Sequence, residues 1–152
     1  MAREISSEII INSPSEKIWN ELMNFDLYPD WNPFVKSISL LNKEEELEVG
    51  NKLAVHLHLV NQKKPMIFKP TIKSFQPNKQ FSWLGHLYLP HIFDGRHTFE
   101  LESLPDNKTK FIQKERFTGL LAFIIRFIKQ DTQDSFNLMN KTLKDRVETS
   151  SP

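Results

Sequence analysis

Residues 5–11 carry β-branched side chains at alternating positions, Ile5, Ile9 and Ile11, a period of two that predicts a strand with one buried face. Asn12-Ser13-Pro14 ends it. Ser13-Pro14-Ser15-Glu16 then reads as a helix start, with Ser13 as N-cap, Pro14 at the first helical position and Glu16 closing a capping box. In the helix that follows, Ile18, Leu22 and Phe25 form one apolar stripe with Trp19 beside it. The two prolines of Tyr28-Pro29-Asp30-Trp31-Asn32-Pro33 forbid a long continuation and predict a short second helix or turn.

From residue 34 to about 118 the pattern becomes strand-like, over 34–41, 52–60, 65–76, 80–86, 93–104 and 109–118. Polar separators intervene at 42–51, 61–64, 77–79 and 105–107. Residues 120–147 read as one long helix, with Leu121, Ile125, Ile128, Phe136, Met139, Leu143 and Val147 near helical spacing. A strand, two short helices, six strands and a long helix predict an α+β fold, seven strands in a curved antiparallel sheet packed on the last helix. The chain shows no internal repeat, Glu44-Glu45-Glu46 reads as a solvated loop or sheet edge, and the tail 148–152 as frayed.

The sharpest expectation concerns the last hairpin. With Pro105-Asp106-Asn107 as the turn and Leu104 opposite Lys108, antiparallel register sets Leu101 opposite Phe111, Phe99 opposite Gln113 and His97 opposite Glu115. The other face pairs Glu102 with Lys110 and Thr98 with Lys114, as a wet face should. A histidine and a glutamate thus sit side by side on an otherwise apolar face. They are either a mutually satisfied structural pair, which removes the cost of burying polar groups, or two groups lining a cavity and orienting a ligand's hydroxyl or carbonyl. An acid–base role is a third alternative.

Composition narrows the chemistry. The 152 residues include no Cys, so disulfides, thiol nucleophiles, iron–sulfur clusters and cysteine-based zinc sites are excluded. Twenty Lys and Arg against 19 Asp and Glu leave a formal charge of +1, which provides no field for a nucleic-acid partner. The four glycines, Gly50, Gly85, Gly95 and Gly119, are too scattered for a phosphate-cradling loop. The N-terminus lacks an apolar targeting core, and 120–128, interrupted by Arg126, is too short for a transmembrane segment, so a cytoplasmic location is expected. His56 and His58 share a strand face, but no third ligand completes a metal site nearby, and no cofactor is expected. Arg126 and Lys129 read as the solvent side of the last helix. His86 and His91 bracket Leu87-Tyr88-Leu89-Pro90, an apolar turn that either packs under a neighbour or makes a transient membrane or protein contact.

Several runs resemble the START/Bet v 1-like (SRPBCC) superfamily, and especially its bacterial polyketide cyclase/dehydrase-like and lipid-transport-like branch. They are Ile11-Asn12-Ser13-Pro14 with Ile18-Trp19 and Leu22, the run Phe25-Asp26-Leu27-Tyr28-Pro29-Asp30-Trp31-Asn32-Pro33, and Phe81-Ser82-Trp83-Leu84-Gly85. Phe93-Asp94-Gly95-Arg96-His97-Thr98-Phe99-Glu100-Leu101 and Arg116-Phe117-Thr118-Gly119-Leu120-Leu121 complete the set. The resemblance spans residues 4 to about 147 and treats 1–152 as one domain. It implies a helix-grip fold, a seven-stranded sheet around the long C-terminal helix with a pocket between them. Proteins of this kind bind lipids, sterols, polyketides or quinones, and some are cyclases. They share no catalytic motif.

By alternation and topology, Trp83, His97, Phe99 and Glu115 then fall on the concave face. Leu120, Phe123 and Phe127 close it from the helix, and Trp31 or Phe34 borders the mouth. Three functions follow as expectations. The first is a carrier or sensor for a small hydrophobic ligand (a lipid, polyketide, quinone or aromatic metabolite). The second is a polyketide cyclase/dehydratase-like enzyme using His97 and Glu115 for proton transfer. The third is a contact surface at residues 87–90 and the start of the last helix.

Overall fold

The structure is a computed structural model and describes residues 3–86 and 91–149. Strand β1 (Arg3–Ile11) leads into α1 (Ser15–Met23), a 3-10 turn (Phe25–Leu27) and a one-turn helix α2 (Tyr28–Trp31). Seven further strands follow: β2 (Val35–Leu40), β3 (Leu53–Leu57), β4 (Met66–Phe68), β5 (Thr71–Gln76), β6 (Gln80–His86), β7 (Asp94–Leu104) and β8 (Lys108–Thr118). A 3-10 segment (Ala122–Phe127) precedes α3 (Lys129–Thr149). No helix among the described residues is long and apolar enough to cross a membrane.

There are eight strands in two antiparallel sheets, ordered β1-β8-β7-β6-β5 and β2-β3-β4, where the pattern predicts seven strands in one. The difference lies at Lys69-Pro70. Proline has no N–H for a ladder, so the predicted strand 65–76 divides into β4 and β5, which join different sheets. The bridge Lys52–Thr71 and the bond from Leu53 N–H to the Pro70 carbonyl (2.9 Å) tie the sheets together at this corner.

The predicted capping box does not form. Pro14 is extended (φ −69°, ψ 154°) and occupies the cap itself, so the helix begins at Ser15 and Ser13 lies outside it. The Ser13 carbonyl instead accepts from Thr109 Oγ1 (2.8 Å), and Ser15 Oγ meets Ser103 Oγ (2.8 Å). These contacts pin α1 to the turn end of the β7–β8 hairpin.

That hairpin has the predicted register, with Leu104 opposite Lys108, Phe99 opposite Gln113 and His97 opposite Glu115. Asp106 and Asn107 both take positive φ, which their short polar side chains tolerate. On the outer face Lys114 pairs with Glu100 (3.0 Å) and Lys110 with Glu102 (3.7 Å).

The long helix is shorter than the pattern predicts. Gly119 turns the chain with φ +102°, and an added Cβ there would stand 2.6 Å from the Ile92 carbonyl oxygen of the preceding loop. The N–H groups of Leu120 and Leu121 then donate to the His91 and Ile92 carbonyls (3.2 and 2.8 Å). This places 120–128 along that loop rather than on the helix axis. From Lys129 onward α3 lies against the sheet, burying Phe136, Met139, Leu143 and Val147, each worth about 1.5–3 kcal/mol of burial.

Candidate functional site

Pairing across β6, β7 and β8 stacks the inward side chains in rows. One row is Phe81, Phe99 and Gln113; the next is Trp83, His97 and Glu115; the third is Gly85, Gly95 and Phe117. The first two rows are filled with rings. The third has two glycines side by side, and a glycine inside a strand marks a place where something must approach the backbone. At Gly85 it is the Phe68 ring, 3.0 Å from where a Cβ would stand, and a cavity of about 50 Å3 lies beside the two glycines.

Leu57, Leu59, Met66 and Phe68 wall the cavity on the side of the smaller sheet, and Phe34, Ile128 and Thr132 close it from above. Asn32 fixes Phe34 locally, because its Oδ1 accepts the N–H groups of Phe34 (3.0 Å) and Val35 (2.8 Å) and so starts β2. The loop after β3 is latched to α3 by Val60 N–H donating to Ser135 Oγ (2.9 Å) and Asn61 Nδ2 donating to Asp131 Oδ1 (3.2 Å). Thr132 Oγ1 is already committed to the Ile128 carbonyl (2.7 Å).

Glu115 is the one ionisable group among the described lining residues. Its carboxylate occupies the space that Gly95 leaves, since a Cβ at Gly95 would lie 2.6 Å from Oε1. The other oxygen, Oε2, is 2.6 Å from His97 Nδ1. His97 is 1% exposed, and its Nε2 is 3.0 Å from Gln113 Oε1. Its ring stacks on Trp83 (centroids 4.9 Å apart, 19° between planes) and meets Phe99 and Phe136 edge-on at 4.9 and 5.3 Å. A further chain runs from Gln113 Nε2 to Asn140 Oδ1 (2.9 Å) and from Asn140 Nδ2 to Ser7 Oγ (3.1 Å).

A second histidine–carboxylate pair lies at the end of β6 and β7. His86 Nδ1 is 2.7 Å from Asp94 Oδ1, and the His91 N–H donates to both Asp94 oxygens (3.2 Å each). Burial pushes the Asp94 carboxyl up, but the bond from His86 and the His91 N–H outweigh it and hold the group below the usual carboxylate range.

No family model matches the sequence, and no curated protein matches it significantly. Solved structures do match in shape. The Zhui aromatase/cyclase from Streptomyces sp. R1128 superposes with a TM-score of 0.75 at 11% identity, over 97% of this chain and 94% of that one. A START superfamily protein from Mycobacterium smegmatis gives 0.73 at 19%, over 95% and 97%. Ara h 8.0201 gives 0.72 at 15%, over 99% and 100%. The chain has the START/Bet v 1-like fold.

Within this START-like framework the residues singled out from the sequence separate into three groups. Phe34 and Glu115 line the cavity. Trp83, His97 and Phe99 share the concave face but sit in the filled rows beneath it. Leu120, Phe123 and Phe127 do not close it: they are 76%, 47% and 71% exposed, Leu120 in the turn after Gly119 and the two phenylalanines on the 3-10 course of 122–127. Ile128 and Thr132 take the place assigned to them. Trp31 is also elsewhere, edge-on to Tyr28 (5.3 Å) and under the Arg146 guanidinium (5.9 Å). The apolar turn at 87–90 lies outside the described residues. Gly85 and Gly95 went unrecognised as site residues, although alternation from Trp83 and His97 puts both on the concave face. His56 belongs to β3 and His58 Nε2 contacts the Gln62 carbonyl (2.7 Å). Among the described residues no three His, Asp or Glu side chains converge on one point.

Proposed function

We propose that this protein binds a small, largely apolar molecule in the cavity between sheet and α3, with Glu115 as its hydrogen-bonding contact, and acts as a carrier or sensor. The observation that carries this reading is the cavity itself, an apolar space between sheet and α3 in which Glu115 is the one ionisable group among the described lining residues.

The size of the space favours a particular kind of occupant. About 50 Å3 holds on the order of three waters, whereas pockets for drug-sized ligands run to roughly 300–1,000 Å3. A single-ring aromatic metabolite fits once a flexible wall such as Met66 yields. A lipid, polyketide or quinone requires a much larger opening of the same walls.

Native mass spectrometry of freshly purified protein tests the reading, with Gly95→Val as the filled-cavity control. A co-purified small molecule in the wild type that is lost in the variant is expected. Equal retention by both, or no uptake of a one-ring probe such as phenol by either, refutes the assignment to this cavity.

The second reading is a cyclase/dehydratase-like enzyme, favoured by the 2.6 Å contact between His97 and Glu115. His97 does not border the cavity, so Glu115 is the group that meets a substrate and His97 is a positioning residue behind it. Turnover of an aromatic polyketide-like substrate that survives Glu115→Gln unchanged rules this out.

A further inference from the structure

The segment that joins β8 to α3 has two faces of different character. Its 3-10 course, three residues to the turn, sets positions i and i+3 one above the other. Ala122 and Ile125 form a buried column, and Ile128 continues it to the cavity wall. Phe123 and Arg126 form an exposed column, with Leu120 before it and Phe127 beside it, both exposed as well. A single exposed apolar side chain is ordinary on a protein surface. Three large ones within residues 120–127 make a patch, and patches of this kind mark contact sites.

The charges around this patch are of one sign. Residues 116–130 contain no Asp or Glu, although the whole chain carries 19 of them against 20 Lys and Arg. The Arg126 guanidinium lies over the Phe127 ring (4.8 Å), and Lys129 is exposed at the start of α3. Arg3 joins from the first strand, where it lines an open groove of about 400 Å3 with Leu120 and Phe123. Among the described residues none of Arg3, Arg126 and Lys129 makes an ion pair. Asp131, the next acid along the chain, accepts instead from the amides of Asn61 and Gln62. The patch is therefore locally cationic in a chain whose formal charge is only +1.

We infer that this patch docks the protein on an anionic lipid bilayer. Leu120, Phe123 and Phe127 enter the interfacial layer, and Arg3, Arg126 and Lys129 meet the acidic head groups. A bilayer surface accepts both parts of the patch, because it takes up apolar side chains and carries negative charge. A protein partner matches it less well, since lysine is depleted at the centre of protein–protein interfaces. Each basic side chain near such a surface contributes about fivefold in affinity, an attraction that salt weakens. Ile128 follows Phe127 in the chain and lines the cavity, so the docked face and the cavity share one wall. Docking of this kind does not require the cavity to hold a ligand.

Co-sedimentation of the intact chain with vesicles tests this, using phosphatidylcholine alone and phosphatidylcholine mixed with phosphatidylglycerol. Wild type is expected to bind the mixed vesicles at least about tenfold tighter than the neutral ones, with the difference shrinking at high salt. Arg126→Gln/Lys129→Gln should remove most of that difference. Leu120→Ser/Phe127→Ser, which alters two exposed side chains, should weaken binding to the mixed vesicles by about tenfold or more; Phe127→Ser alone serves where the double variant does not fold. Wild type that stays in the supernatant with both vesicles overturns the inference, as does either variant binding as wild type does. Equal binding to neutral and mixed vesicles overturns the anionic assignment. Sedimentation velocity without lipid covers the remaining occupant. A wild-type dimer that Leu120→Ser/Phe127→Ser converts to monomer assigns the patch to a second copy of the chain, and the membrane assignment falls.

Discussion

Gly95→Ala offers a quantitative check on how the site is held. Gly95 does not take a left-handed φ, so alanine fits its backbone and by itself contributes about 0.4–1 kcal/mol through the unfolded chain. Its methyl group, however, arrives 2.6 Å from Glu115 Oε1. A glutamate tip could ordinarily swing aside, but Oε2 is held 2.6 Å from the Nδ1 of a buried histidine. Moving the carboxylate breaks that contact and strands the imidazole, a loss of about 1.5–3 kcal/mol for a bond to a charged group. The net expectation is destabilisation by about 1–2 kcal/mol, or roughly 2–8 °C in Tm for a chain of this size. A double-mutant cycle measured by urea unfolding isolates the cause. In a Glu115→Ala background the methyl meets nothing it must displace, so Gly95→Ala should be neutral or slightly stabilising there, giving a coupling of about 1.5–3 kcal/mol. An equal cost in both backgrounds would show that Glu115 is not what Gly95 makes room for.

Three further perturbations address other parts of the structure. Asp94 has its folded pKa held down, so its contribution is fully present above the unfolded value of about 3.9 and is lost as pH falls through the folded pKa. Asp94→Asn should therefore cost about 2 kcal/mol at pH 7 and flatten the stability loss below about pH 4; an unchanged acid limb in urea titrations counts against this. Phe136 is fully buried between Phe34 (5.5 Å) and His97 (5.3 Å), so Phe136→Ala should cost about 3–5 kcal/mol and admit larger aromatic probes than the wild type. A loss below 1 kcal/mol by thermal melt means the ring is not packed there. Phe127→Ser, by contrast, should change stability by no more than about 0.5 kcal/mol, because that ring is exposed and its contact is to the neighbouring Arg126 guanidinium (4.8 Å). A larger loss in the same melt returns the ring to the core.

The hairpin 94–118 was legible residue by residue because both of its determinants are local. A period of two assigns each side chain to a face, and a turn of Pro105, Asp106 and Asn107 sets the register, so the His97–Glu115 contact follows from about twenty consecutive residues. The same alternation predicts the wet face that Glu100, Lys110 and Lys114 form. The segment 120–128 was misread for the opposite reason. Its apolar spacing suits a helix, but its first N–H groups are taken by carbonyls of the loop at 91–92, nearly thirty residues earlier. Ser13 failed as a cap because the Thr109 hydroxyl, almost a hundred residues away, claims its carbonyl and Pro14 holds the extended backbone.

The sequence by itself therefore determined the α+β class, the last hairpin's register and the presence of a histidine and a carboxylate together on an apolar face. Tertiary structure decided where that face is empty. Gly85 and Gly95 are ten residues apart and carry no side chain to announce a role, and only the pairing of β6 with β7 sets them side by side. The polar chain from His97 to Ser7 likewise needs β7, β8, α3 and β1 in contact. Periodicity reports which way a side chain points, because that is set by its own backbone. It does not report what stands opposite, which depends on chain segments that meet only after folding.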